Sequence, residues 1–251
     1  MVTIEAITAY CDKRTRREAI IDFPGACNGL QFASKGPFTK IGAAVDAGLI
    51  PFQKATEAGI DFLIVHHGLF WSSQAPVTGL TFEKYQHLFE NNLAVYGSHL
   101  PLDAHPEIGN NACIAKELGL NPIEQFLEYE GTKLGMIAEA PENRDELGKR
   151  LKSLFPKTFT AIEFGSPKPQ RIGISSGSGA QVVGELKAAG IDTLITGELR
   201  QHHFNVAQEE GLNLYPCGHY ATEVFGVQAL AEEVANHFNL PWEFIVTDCP
   251  L

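Results

Sequence analysis

The sequence predicts an α/β protein made of two duplicated βαβ halves, residues 1–125 and 126–251, forming a layered fold with a cleft between the halves. Three observations predict it. Short, wholly apolar, partly β-branched runs such as Phe62–Val65 read as strands buried on both faces, as in a parallel sheet. These strands alternate with helical stretches in the same order in each half. Finally, Ala58-Gly59-Ile60-Asp61 recurs as Ala189-Gly190-Ile191-Asp192, 131 residues later, and Gly42 falls on Gly173 at the same offset. Ala-Gly ahead of a buried strand is also a common helix stop. The recurrence of several features in one order favours duplication over that coincidence.

In chain order, residues 3–12 read as an amphipathic helix, with Ile4 and Ile7 on one side. Asn28-Gly29-Leu30-Gln31 is a turn signal. Lys40–Val45 is a strand ending at Asp46. Residues 51–58 form a short helix with Pro51 in its first turn. After Phe62–Val65 come a helix over 81–91 and a strand over 93–96. Residues 109–118 make a helix closed by Gly119. A strand over 131–139 and a charged helix over 142–155 follow. Arg171–Ser175 is a strand running into the turn Ser176-Gly177-Ser178-Gly179, with a helix over 180–189 behind it. Strands around Leu194-Ile195 and Leu212–Tyr215 precede a last long helix, from about Thr222 to His237.

Composition narrows the class. The chain has 251 residues, 44% of them hydrophobic and 20% charged, as expected of a globular protein with a substantial core. Its formal net charge is -11, a surface that repels phosphate backbones and disfavours nucleic acid as a partner. The one basic cluster, Lys13-Arg14-Thr15-Arg16-Arg17, reads as a solvated helix end. No apolar run approaches the roughly 20 residues of a membrane span. The amino terminus, Met1-Val2-Thr3-Ile4-Glu5, lacks the features of a signal peptide. The five cysteines are scattered and form no C-x-x-C, which fits a reducing cytoplasm.

The chemistry gathers at strand ends. His66 and His67 follow the apolar strand directly, and in open α/β sheets ligands bind at the carboxyl ends of strands. Two imidazoles there offer nitrogen donors suited to transition metals; the plainer alternative is two polar residues capping a strand. Each half then repeats a strand followed by a histidine and, four residues on, a carboxylate: His99-x-x-x-Asp103 and His219-x-x-x-Glu223. The i, i+4 spacing can put His219 and Glu223 on one helix face, and Glu223 is expected in that helix's first turn, where the dipole favours a carboxylate. Glu198 lies close by in sequence, after Thr196-Gly197. Six candidate nitrogen and oxygen donors exceed what one catalytic zinc uses and suit two metals about 3.5–4 Å apart.

Ile64-Val65-His66-His67-Gly68, Ser98-His99-Leu100-Pro101-Leu102-Asp103 and Gly218-His219-Tyr220-Ala221-Thr222-Glu223 resemble the motifs of the dinuclear-metal-centre hexamer family. Its members are commonly labelled GTP cyclohydrolase 1 type 2 homologues. Asn28-Gly29-Leu30-Gln31 and Thr196-Gly197-Glu198 also look like its motifs, and the resemblance covers nearly the whole chain. At this length the chain is similar to the short form, without the domain that longer members insert between the halves. The resemblance implies a toroidal homohexamer and two divalent ions per chain, of iron, zinc, manganese, nickel or cobalt. It carries the metal-ligand role to His66, His67, Asp103, His219 and Glu223, and places His99 near the metals.

Other features have plainer readings. Gly177-Ser178-Gly179 is an ordinary tight turn rather than a phosphate cradle, matching no P-loop. His202 and His203 read as surface or cleft-rim residues. His105 is either support for Asp103 or a loop residue. Cys217 reads as packing. Phe70, Trp71 and Phe225 serve either subunit contacts or the core. Three function classes are compatible with this: a metal-dependent hydrolase of a small nucleotide-like or phosphorylated substrate, a metal storage or delivery protein, and a metal-braced ring scaffold. In the first, Glu198 is the general base and His99 a proton-handling or orienting group.

Overall fold

A computed structural model of the chain describes residues 2–71, 76–141 and 143–251. Its elements are α1 (Ile4–Thr15), β1 (Gly29–Phe32), β2 (Ile41–Asp46), α2 (Leu49–Glu57), β3 (Phe62–His67), α3 (Gly79–Glu90), β4 (Ala94–Gly97) and the single turn α4 (Leu100–Asp103). Then come α5 (Asn110–Glu117), β5 (Pro122–Tyr129), β6 (Thr132–Glu139), α6 (Arg144–Leu154), β7 (Ile162–Glu163), β8 (Arg171–Ser178) and β9 (Thr193–Glu198). The chain closes with α7 (His203–Glu210), β10 (Asn213–Pro216), α8 (His219–Phe238) and β11 (Trp242–Phe244). It packs as two compact units, Met1–Leu102 with Gly226–Asp248, and Asp103–Phe225 with Cys249–Leu251. Relative to the sequence halves, residues 103–125, with α5, fall in the second unit, and the second part of α8 with β11 in the first.

In the first unit a five-stranded sheet has the order β1-β4-β3-β2-β11. Strands β2, β3 and β4 are parallel, and β1 lies antiparallel along the β4 edge. Phe62, Leu63, Ile64 and Val65 are completely buried, as their unbroken apolar run requires. Phe52, Ala55, Leu88 and Leu93 pack with Leu63, Val65 and Val95 in one core cluster, fixing α2 and α3 against the sheet.

The second unit carries a six-stranded sheet in the order β5-β6-β8-β9-β10-β7. Here β8, β9 and β10 are the parallel strands, and the edge strand β7 is antiparallel to β10, as β1 is to β4. The registers coincide at the sequence offset. Ile41 pairs with Phe62 and Gly42 with Leu63 in one sheet; Ile172 pairs with Thr193 and Gly173 with Leu194 in the other.

The repeated tetrapeptide has the same physical role in both units. Gly59 and Gly190 take left-handed φ values of +74° and +65° to stop the preceding segment. Ile60 covers Gly42 so closely that a Cβ there would sit 2.7 Å from its side chain; Ile191 covers Gly173, where the same atom would be 3.1 Å away. Asp61 accepts from the Thr39 backbone N–H at 2.6 Å, and Asp192 from that of Gln170 at 2.8 Å, again 131 residues apart. Each residue of the motif therefore ends a helix segment, packs over the neighbouring strand or ties down that strand's start. This makes the recurrence structural, and the duplicated α/β architecture holds.

Several local expectations change. Asn28-Gly29-Leu30-Gln31 leads into strand β1, with Gly29 (φ +105°) opposite Gly97. The expected 180–189 helix is reduced to a 3-10 turn at Val183–Glu185 within a run of turns. Two adjacent valines and Gly184 weaken a helix here, and Glu185 N–H bonds back three residues to Val182 at 2.9 Å. Strand β5 was hidden because Phe126 is the one buried residue of its eight. It turns into β6 through Glu130 and Gly131, both at positive φ. The charged helix begins at Arg144, capped by Asn143; Glu142, in the expected 142–155 span, lies outside the described residues. The basic cluster is a helix end, with Arg14 paired to Glu233 and Arg17 to Asp12. No helix among the described residues is long and apolar enough to cross a membrane.

Candidate metal centre

Strand β3 delivers His66 and His67 at its carboxyl end, and the turn after β4 delivers His99. Each ring is held by its Nδ1. His66, fully buried, donates to the Ser98 carbonyl at 3.0 Å. His67 donates to Asp46 Oδ1 at 2.8 Å, and His99 to Asp22 Oδ1 at 2.9 Å. An acceptor at Nδ1 sets the tautomer that carries the lone pair on Nε2, the usual support of a metal-binding histidine. The ring centroids lie 4.9 Å (His66–His67), 5.0 Å (His66–His99) and 5.7 Å (His67–His99) apart. One ligand atom from each of the three falls within 4.8 Å of the others, so these residues can hold an ion.

Supports for this trio come from segments the motifs do not mark. The Asp22 side chain is 5% exposed and also accepts from Phe23 N at 2.6 Å, Asn28 Nδ2 at 2.7 Å and Leu100 N at 3.0 Å. Burial alone would raise its pKa, but the bonds from His99, Asn28 and Phe23 outweigh it and hold the carboxyl below its ordinary 3.8. Asn28 Oδ1 accepts the His99 backbone N–H at 2.8 Å, and Gln31 Oε1 accepts that of Leu69 at 2.6 Å. The Asn28-Gly29-Leu30-Gln31 segment thus braces both strand-end loops. Trp71, fixed by a 2.8 Å bond from Nε1 to the Gly68 carbonyl, sets its ring 4.7 Å from His99 and 5.5 Å from His67.

In the second unit His219 opens α8 and Glu223 follows one turn on. His219 Nε2 lies 3.2 Å from Glu223 Oε1, and its Nδ1 3.2 Å from Glu198 Oε1 at the end of β9. The i, i+4 expectation holds. The first-turn expectation does not, because the helix starts at His219 and Glu223 is its fifth residue. The Glu223 bond is the largest effect on His219; with the Glu198 contact it outweighs burial and pushes the imidazole up to about 9. Glu223 is 3% exposed, whereas the Glu198 side chain is 54% exposed. Asp103, at the end of α4, accepts on Oδ1 from Asn110 Nδ2 at 2.9 Å and from the Ser176 hydroxyl at 3.3 Å.

Gly177, expected in a turn, lies inside β8, where the pairing with β9 shifts register between Ser175 and Ser178. Its φ is +63°, and a Cβ there would overlap Glu223 Oε1 and come 3.2 Å from His219 Nε2. Its N–H donates to Thr222 Oγ1 at 3.0 Å. Only glycine lets this backbone lie against the two candidate ligands. Asp46, Asp22, Gly177 and Trp71 are the residues that sequence reasoning missed. Asp46 left a trace, as a carboxylate ending a buried strand; Asp22 left none.

The remaining candidates separate cleanly. His203 is buried, not on the surface, and its Nδ1 accepts from Arg200 N at 3.0 Å; His202 is exposed. His105 is buried, and its Nδ1 accepts from Glu107 N at 3.1 Å and Ile108 N at 3.2 Å. Cys217 is fully buried, donates to the Tyr215 carbonyl, and has its thiol pKa raised by burial. Phe225 packs in the second unit's core against Phe155, while Phe70 and Trp71 are each 37% exposed.

Comparison with known proteins places the chain in a family. Residues 2–250 match the family described as Duf34/NIF3 (NGG1p interacting factor 3). A Deinococcus radiodurans protein named GTP cyclohydrolase 1 type 2 homolog is 40% identical over 220 residues, covering 87% of this chain and 84% of its own. Among solved structures, TTHA1606 from Thermus thermophilus superposes with a TM-score of 0.88 at 37% identity, and protein ybgI with 0.91 at 31%; each covers 100% of both chains.

Proposed function

Because the chain belongs to the Duf34/NIF3 family, we propose that it binds two divalent metal ions and acts as a hydrolase on a small nucleotide-like or phosphorylated compound. One observation carries the metal reading: His66, His67, His99 and His219 all have Nδ1 against a carbonyl or carboxylate oxygen. Four imidazoles in this second-sphere arrangement fit metal ligation and have no comparable use in packing. Of these, His66, His67 and His219 are the proposed ligands, with Asp103 and Glu223, and His99 stands beside the metals. Mixed imidazole and carboxylate donors suit iron, zinc, manganese, nickel or cobalt.

Bound divalent ions lower the pKa of a water towards about 7 and polarise a substrate oxygen. The protein's own part is proton handling and orientation. Glu198 is half exposed at a strand end, where a carboxylate can take a proton from an attacking water as general base. His99, locked by Asp22, orients the reacting group. Glu198→Gln should keep both metals, measured by mass spectrometry on tag-free protein, and lower turnover of a nucleotide or phosphoester about 100-fold. A variant whose only defect is faster metal loss would instead favour metal storage or delivery.

We further propose a homohexamer in the cytoplasm, in keeping with five free cysteines. Light scattering should give about six chain masses of 27.4 kDa; a single chain mass would remove the claim.

A further inference from the structure

Beside Glu198, within the second unit, lies a cavity of about 420 Å³ lined among others by Lys157, Thr158, Arg200, Gln201 and Phe204. Its size falls in the range of small-molecule sites, roughly 300–1,000 Å³. Two cations at one cavity are notable in a chain of net charge -11. Of the seven arginines, Arg14, Arg17, Arg144, Arg150 and Arg171 pair with carboxylates. Arg16 caps α1. Arg200 makes no ion pair among the described residues; its backbone N–H serves His203, which leaves the guanidinium to the cavity.

The cavity also presents an aromatic surface. Phe204 is 44% exposed, and its ring is set edge-on against Phe164 at 5.3 Å and 84°. That contact fixes the orientation of a ring that nothing in the core requires. Gln201 adds an amide with both donors and an acceptor. A guanidinium is a bidentate partner for phosphate, and an exposed phenyl face stacks a flat ring.

We propose that this cavity recognises the substrate of the Glu198 site, and that the substrate is a phosphomonoester carrying a flat heterocycle. The phosphate engages Arg200, the ring stacks on Phe204, and the atom that water attacks faces Glu198, which takes the water's proton as that atom's bond to the leaving group breaks. This rests on the hydrolase reading and adds to it the residues that select the substrate.

Calorimetric titration of the metal-loaded, full-length protein with GMP, guanosine, ribose 5-phosphate and inorganic phosphate tests it. GMP should bind most tightly. R200E should weaken GMP and ribose 5-phosphate about ten-fold or more, the worth of a charged hydrogen bond, and leave guanosine unchanged. F204A should weaken GMP and guanosine about ten-fold and leave ribose 5-phosphate unchanged. Both side chains are exposed, and both variants should keep the wild-type metal content. Unchanged GMP affinity in R200E, or no binding of any phosphate ester to the wild type, overturns the cavity assignment; unchanged GMP affinity in F204A overturns the heterocycle. Turnover that is lost in Glu198→Gln but indifferent to R200E sinks this inference alone. GMP held through Arg200 without any turnover sinks the hydrolase reading alone.

Discussion

His67 Nδ1 lies 2.8 Å from Asp46 Oδ1, and the two residues are register partners on adjacent parallel strands. Strand pairing therefore places the carboxylate that orients the imidazole, without any loop. Asp46→Ala should leave the fold intact and weaken metal binding about 10–100-fold, the usual effect of removing such a support. Chelator competition measures it, and Asp46→Asn should recover part of the loss. Equal affinity in wild type and Asp46→Ala would remove His67 from the ligand set.

Two ions per chain are expected at full loading. His66→Ala removes a buried imidazole and Glu223→Ala a buried carboxylate, so each should empty at least one site. Elemental mass spectrometry on protein purified without a histidine tag gives the number. An occupancy of one ion in the wild type, or two ions surviving both substitutions, would end the dinuclear reading.

The pH dependence has a definite sign. Hydrogen bonding to Glu223 and Glu198 raises His219 from 6.5 to about 9 in the metal-free protein. Its contribution to stability is complete below pH 6.5 and is lost as pH rises through about 9. A metal needs this imidazole neutral, so binding between those values should release a proton, and apparent affinity should rise with pH across the window and flatten above it. Calorimetry at pH 7.5 in buffers of different ionisation enthalpy reads the released proton. Heats independent of the buffer would show that His219 does not ligate.

Wherever a residue's work is local, it could be read from the chain. Gly59, Ile60 and Asp61 end a helix, cover a strand and tie down its start, so their recurrence as Gly190, Ile191 and Asp192 is a trace of geometry. Buried strands β3 and β9 were legible because a strand covered on both faces must be apolar throughout. His66, His67 and His99 stood out because they follow such strands directly, and His219–Glu223 because a helix brings i and i+4 together.

What the sequence alone determined, then, is the α/β class, the internal duplication and the places of the candidate donors at strand ends and on α8, since period, helix stops and short spacings depend on near neighbours along the chain. Tertiary structure decided the rest. Asp22 reaches His99 across 77 positions, and Gly177 meets Glu223 only because the end of β8 lies against the start of α8. Strand β5, largely unburied, exists because β6 offers it a partner edge. Pairings that far apart leave no periodicity in the chain, because only the closed fold makes their residues neighbours.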